Sequence, residues 1–188
     1  ILIHISVETV AAYQVAGRLD MLVFLPIFSI AASLTTLIGM FYGAKEYEAL
    51  RFTIRYGIFS ALIITIFSSA MVYIFANQVV RFFTEDESIV IIAVNFLQIF
   101  AFAYPFIAVG ITTGRVLQGL GKGLPVLVIT IVRVLGVSAP LSLFFIFVMD
   151  KSVEWVWYSM MLSTVVAFAI GLTWLVSTVK KLPMKNTV

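Results

Sequence analysis

The 188-residue chain contains no cysteine and a single histidine. Without cysteine there is no disulfide and no thiolate metal site, and one imidazole, His4, cannot build a histidine cluster. Charge is scarce too: Asp, Glu, Lys and Arg supply 11% of the residues, against roughly 25% in soluble domains. Almost all of the charge is also confined to short segments. Between these segments run five apolar stretches, near residues 21–42, 55–76, 89–113, 124–149 and 155–179. Each is long enough to cross a bilayer, because about 20 residues at 1.5 Å per residue span the roughly 30 Å hydrocarbon core. The runs are continuous and lack the period-2 alternation of an outer-membrane barrel, so their backbones must satisfy themselves as helices. The expected fold class is therefore all-α, a polytopic membrane helix bundle of about five transmembrane helices.

Lys and Arg in short connections resist translocation and so set the orientation. Lys45, Arg51 and Arg55 follow the first stretch, Arg115 and Lys122 the third, and Lys180, Lys181 and Lys185 the fifth. The opposite connections hold Glu85, Asp86, Glu87, Asp150 and Glu154 with only Arg81 and Lys151, and Glu8 precedes the first stretch. The amino end is expected outside and the carboxyl end in the cytoplasm. The net charge of +3 does not point to nucleic acid, because the basic residues are split among three loops without a reading motif. Ile1 to Ile5 reads as the exit of an earlier apolar helix rather than a signal peptide, lacking a basic n-region and a cleavage site. The reading is a single membrane domain over 1–188 that belongs to a larger transporter-like chain.

Within the stretches, the informative residues are the polar ones. Arg133 falls near the middle of the fourth, where an arginine costs about 2.5–3.5 kcal/mol, so it must face protein or water. Arg18 and Asp20 enter the first stretch two residues apart, on different helix faces, and each needs a partner elsewhere. Asn95 and Gln98 share a face of the third stretch, with Phe102 and Pro105 continuing the stripe, and can meet a substrate or a neighbouring helix. With Tyr104 these residues form the set of candidate cavity positions. Pro26, Pro105 and Pro140 each free a carbonyl one turn back and are candidate hinges. Ser159, Ser163, Ala167 and Gly171 recur every fourth position, a spacing that permits close helix packing. Gly119, Gly121 and Gly123 read as a tight cytoplasmic turn into a helix that Pro125 opens; no phosphate-loop Lys and Ser/Thr follow them at the required spacing.

The run Glu8-Thr9-Val10-Ala11-Ala12-Tyr13, then Gly17-Arg18-Leu19-Asp20, Leu25-Pro26 and Gly43-Ala44, resembles the second helix of a lobe in multidrug and toxic compound extrusion (MATE) transporters. Phe82-Phe83-Thr84 with its acidic tail, Leu117-Gln118-Gly119-Leu120-Gly121 before Pro125, and Arg133 seven residues before Pro140 extend the resemblance over essentially the whole chain. It implies twelve helices in two six-helix lobes, of which this chain is similar to helices eight to twelve. It further implies efflux of amphipathic or cationic compounds by alternating access, coupled to Na+ or H+ entry, from the cell's inner (plasma) membrane. The third stretch carries no Asp or Glu between Ile89 and Leu117. The coupling cation is accordingly expected to bind outside this sequence, in the amino-terminal lobe that would be the chain's partner, and no other cofactor or metal is expected. A lipid-linked oligosaccharide flippase of the same superfamily is the alternative; a membrane-embedded enzyme is disfavoured, because the acidic cluster Glu85 to Glu87 has no Asp-rich repeat.

Overall fold

The computed structural model describes residues 6–183, so His4, Lys185 and the Ile1–Ile5 segment lie outside the described residues. All its regular structure is helical. Helix α1 spans Val7–Gly43 and begins where the Ser6 hydroxyl accepts the Thr9 N–H, satisfying one of the first-turn amides that have no partner within the helix. Helix α2 spans Tyr47–Arg81. Both extend well beyond the apolar stretches read from sequence. Polar residues such as Gln14 and Arg18 are helical because exposed polar side chains do not oppose helix formation.

The third stretch is broken into two helices. Helix α3 (Glu87–Ala101) and helix α4 (Tyr104–Gly119) meet at 59° across Phe102 and Ala103. Pro105 lies in the first turn of α4, where its missing N–H leaves no helix bond unmade. The bend ends the stripe drawn through Asn95, Gln98, Phe102 and Pro105: Phe102 is exposed against Tyr73, whereas Pro105 already belongs to the next helix axis.

The fourth stretch opens as helix α5 (Leu124–Ile131), widens to a π-helix over Val132–Ser138, tightens to helix α6 (Ala139–Leu143) and widens again over Phe144–Val148. The Ala139 N–H reaches back five residues to the Val134 carbonyl, just before Pro140, which has no N–H to give. Pro26 behaves differently, lying inside the continuous α1, with the nearby Ser29 hydroxyl donating to the Leu25 carbonyl at 3.1 Å. Of the three prolines, Pro105 thus adjoins a sharp break, Pro140 follows a change of helix type, and Pro26 interrupts no helix assignment.

Helix α7 (Glu154–Lys180) buries Ser159, Ser163, Ala167 and Gly171, the small-residue stripe read from sequence. Helices α1 and α4 lie close together at Gly119, where an added Cβ would lie 2.8 Å from the Thr35 carbonyl oxygen. Gly121, with φ of +74°, turns the chain from α4 toward α5. Two apolar clusters result. The larger, around Tyr104, Phe96, Ile27 and Trp157, packs α1, α2, α3, α4 and α7; the smaller joins Leu34, Ile38, Leu50 and Leu117 near the opposite end.

Candidate functional site

The break in the third span decides where the polar residues go. As the first residue of α4, Tyr104 is fully buried, and its hydroxyl donates to the Asp20 Oδ1 of α1. Phe24, one turn along α1, sets its ring edge on Tyr104 at 5.2 Å between centroids. A carboxylate this deep in an apolar bundle is costly without a donor, and the bend delivers one. Beside it, Tyr13 stacks on Trp157 at 5.8 Å, with Phe96 edge-on to Trp157 at 4.8 Å.

Arg133 lies in the π-helical segment, half-buried, on the wall of a cavity of about 340 Å³. Phe28, Phe106 and Phe168 supply aromatic walls, and Gly110 and Gly114 leave room. The charged residues of this lining are Arg115 and Arg133, with no acid among them. Among the described residues Arg133 makes no hydrogen bond or ion pair. Both its guanidinium and the Asp20 carboxylate act electrostatically on the Tyr13 hydroxyl without forming a direct pair. Arg18 is exposed and lines neither cavity described here.

Asn95 and Gln98 face a separate cleft of about 520 Å³ between α2, α3 and α7. Asn95 Nδ2 donates to Glu154 Oε1 at 2.7 Å, tying α3 to the first turn of α7. The six candidates therefore divide: Asp20 pairs with Tyr104, Arg133 has a cavity to itself, Asn95 and Gln98 share the second cleft, and Arg18 stands apart.

The model of the MatE family matches residues 1–144. The chain belongs to the MatE family. Relatives of the MatE match include a probable multidrug resistance protein NorM of Thermotoga maritima, 27% identical over 151 residues, which cover 80% of this chain and 32% of that one. A second NorM, from Acinetobacter baylyi, is 30% identical over 95 residues, 50% of this chain and 21% of that one. This chain thus spans about a third or less of the curated relatives it matches. Among solved structures, a MOP superfamily transporter from Pyrococcus furiosus Vc1 superposes with a TM-score of 0.87 at 27% identity, over 95% of this chain and 40% of that one. A multidrug resistance MATE family transporter in its inward-facing conformation gives 0.81 at 29% identity, over 92% and 40% of the two chains. The MatE chain is an integral membrane protein, and its family is one of transporters, which sets the enzyme alternative aside.

Sequence reasoning on this MatE chain missed Glu154 as a site residue. It read as one more acid of an external loop, and nothing in its neighbours signals that α7 begins there and turns it toward Asn95. Tyr73 and Tyr158 were equally silent, since aromatic residues near the ends of membrane helices are common at the interface.

Proposed function

We propose that this chain forms helices eight to twelve of a secondary active efflux transporter for amphipathic or cationic compounds, and that it works by rocking against a second lobe in alternating access. The observation carrying this reading is that one arrangement of the chain superposes on MATE transporters in both states: TM-score 0.84 for an outward-facing conformation and 0.81 for an inward-facing one. A unit similar to both end states suits a lobe that moves largely as a body, with the broken span and the π-helical segment absorbing smaller adjustments. In this reading Arg133 and the aromatic walls around it contact the transported compound or the other lobe, and Asp20 and Tyr104 hold α1 against α4. Asn95 and Gln98 serve the outer cleft; Arg18 lies at the outer surface.

The coupling cation, Na+ or H+, then binds outside these residues. This rests on the absence of acid between Ile89 and Leu117. Alternating charge in the connections supports an external amino end and a cytoplasmic carboxyl end in the inner (plasma) membrane. Two arginines and no acid in the 340 Å³ cavity favour the lipid-linked oligosaccharide flippase as the second reading, because a pyrophosphate linkage suits guanidinium donors.

The test is gradient-driven extrusion of ethidium from proteoliposomes by the complete transporter containing this sequence, with membrane abundance measured alongside. Arg133→Ala and Arg133→Leu are expected to abolish most of the transport, and Arg133→Lys to retain part of it, because lysine keeps the charge but loses the planar fork. Full transport by all three variants removes Arg133 from the mechanism. Translocation of a lipid-linked oligosaccharide without ethidium efflux selects the second reading.

A further inference from the structure

The 520 Å³ cleft is distinct from the Arg133 cavity and shares no lining residue with it. Three charged side chains enter its wall: Arg81, Glu87 and Glu154. The first two neutralise one another, since Arg81 Nη2 lies 2.7 Å from Glu87 Oε1 while its Nε donates to Asn77 Oδ1 at 2.7 Å. Glu154 is different. The hydrogen bond to its side chain comes from the neutral amide of Asn95, which orients the carboxylate without cancelling its charge. Lys151, the basic residue nearest in sequence, is turned to Trp155 instead, with Nζ 5.8 Å from the ring centroid.

Tyr73, Phe102 and Tyr158 line the same cleft as this uncompensated carboxylate. Tyr73 and Phe102 meet edge to face at 5.6 Å, so the two rings present differently directed surfaces toward a ligand. An organic cation is drawn both to a carboxylate and to aromatic faces, and the attraction grows when the site is partly desolvated. Ile91, Val94 and Met161 in the same wall suit the apolar body such a cation carries. An anion would meet net negative charge here, and a wholly apolar guest would cover the Glu154 charge without compensating it.

We propose that this cleft is a second binding site, separate from the Arg133 cavity, for the cationic head of an amphiphile held by Glu154 and the Tyr73, Phe102 and Tyr158 rings. Such a head has two sources: the ethanolamine headgroup of a membrane lipid, or a soluble lipophilic cation. The site stands whether or not the chain acts in efflux.

These 188 residues contain no cysteine, so a local reporter can be placed in the complete transporter once any cysteine elsewhere in it is replaced by serine. Gln98→Cys places one thiol in the cleft, and its alkylation by N-ethylmaleimide is followed in nanodiscs of phosphatidylglycerol, with or without phosphatidylethanolamine. Tetraphenylphosphonium is expected to slow the reaction, whereas tetraphenylborate, similar in shape but opposite in charge, is not. Adding Glu154→Gln is expected to raise the protecting concentration about tenfold. If that variant does not yield folded protein by circular dichroism, Tyr158→Ala on the same reporter serves, with the same direction expected. Slower alkylation in phosphatidylethanolamine discs before any cation is added identifies the lipid as occupant; protection by tetraphenylphosphonium alone identifies a soluble cation. Equal protection by tetraphenylborate, protection that survives loss of the carboxylate or the ring, or no protection by either source overturns the proposal.

Discussion

Tyr104→Phe isolates one hydroxyl at the centre of the bundle. The ring keeps its packing, including the edge contact with Phe24 at 5.2 Å, so what is lost is the donor that holds Asp20. Among the described residues no other side chain donates to that carboxylate. A hydrogen bond to a charged group is worth about 1.5–3 kcal/mol, while polar pairs between membrane helices average about 0.6 kcal/mol in double-mutant cycles. The two values are far enough apart to decide the matter. Asp20→Ala makes the opposite cut and strands a fully buried hydroxyl, itself a penalty of about 1–3 kcal/mol. The double variant removes both groups and relieves both penalties, so a thermodynamic cycle over Tyr104→Phe and Asp20→Ala should return a coupling of about 1.5–3 kcal/mol. The measurement is reversible unfolding in mixed micelles with rising dodecyl sulfate, read by circular dichroism and tryptophan fluorescence. A coupling at or below the average for ordinary membrane pairs refutes the argument that bending the third span serves to hand Asp20 a donor.

Gly119→Ala should destabilise the bundle by about 1–3 kcal/mol, because its Cβ would press on the Thr35 backbone carbonyl, which cannot rotate away. Gly114→Ala, meeting only Val126 methyls at 3.7 Å, should be neutral or slightly stabilising in the same unfolding assay. Asp86 caps α3, and hydrogen bonds from the Ser88 hydroxyl and then its backbone N–H hold its carboxyl below the usual aspartate range. A depressed folded value means that the cap stabilises above the unfolded range and is lost as pH falls through the lowered value. The protection factors of the amides in the first turn of α3, corrected for the intrinsic pH dependence of exchange, should therefore fall on acidification in the parent and vary less with pH in Asp86→Asn. For topology, a cysteine at Ser88 should react with an impermeant thiol reagent on intact cells and one at Ala49 should not; the reverse pattern inverts the orientation.

Burial of apolar surface and the absence of any backbone partner in lipid act on sequence-local runs, so the apolar runs by themselves determined membrane insertion, helicity and the four to five candidate crossings. Helix packing by small residues was equally legible: a four-residue period in Ser159, Ser163, Ala167 and Gly171 maps directly onto one buried helix face. A candidate such as Asp20 was recognisable as needing a partner, because its cost in an apolar span does not depend on the fold. Which partner it finds was not. Tyr104 lies 84 positions away and reaches Asp20 through a bend placed at Phe102 and Ala103, where the sequence signal pointed at Pro105. Likewise, Glu154 meets Asn95 across 59 positions, joining an acid read as loop to an amide read as span. Such pairs depend on the angle and vertical offset of whole helices, which are set by many side chains packing at once. Local periodicity carries no record of them, so only the tertiary structure could separate an arginine on a cavity wall without an acid from an acid with a donor and from a carboxylate in an aromatic cleft.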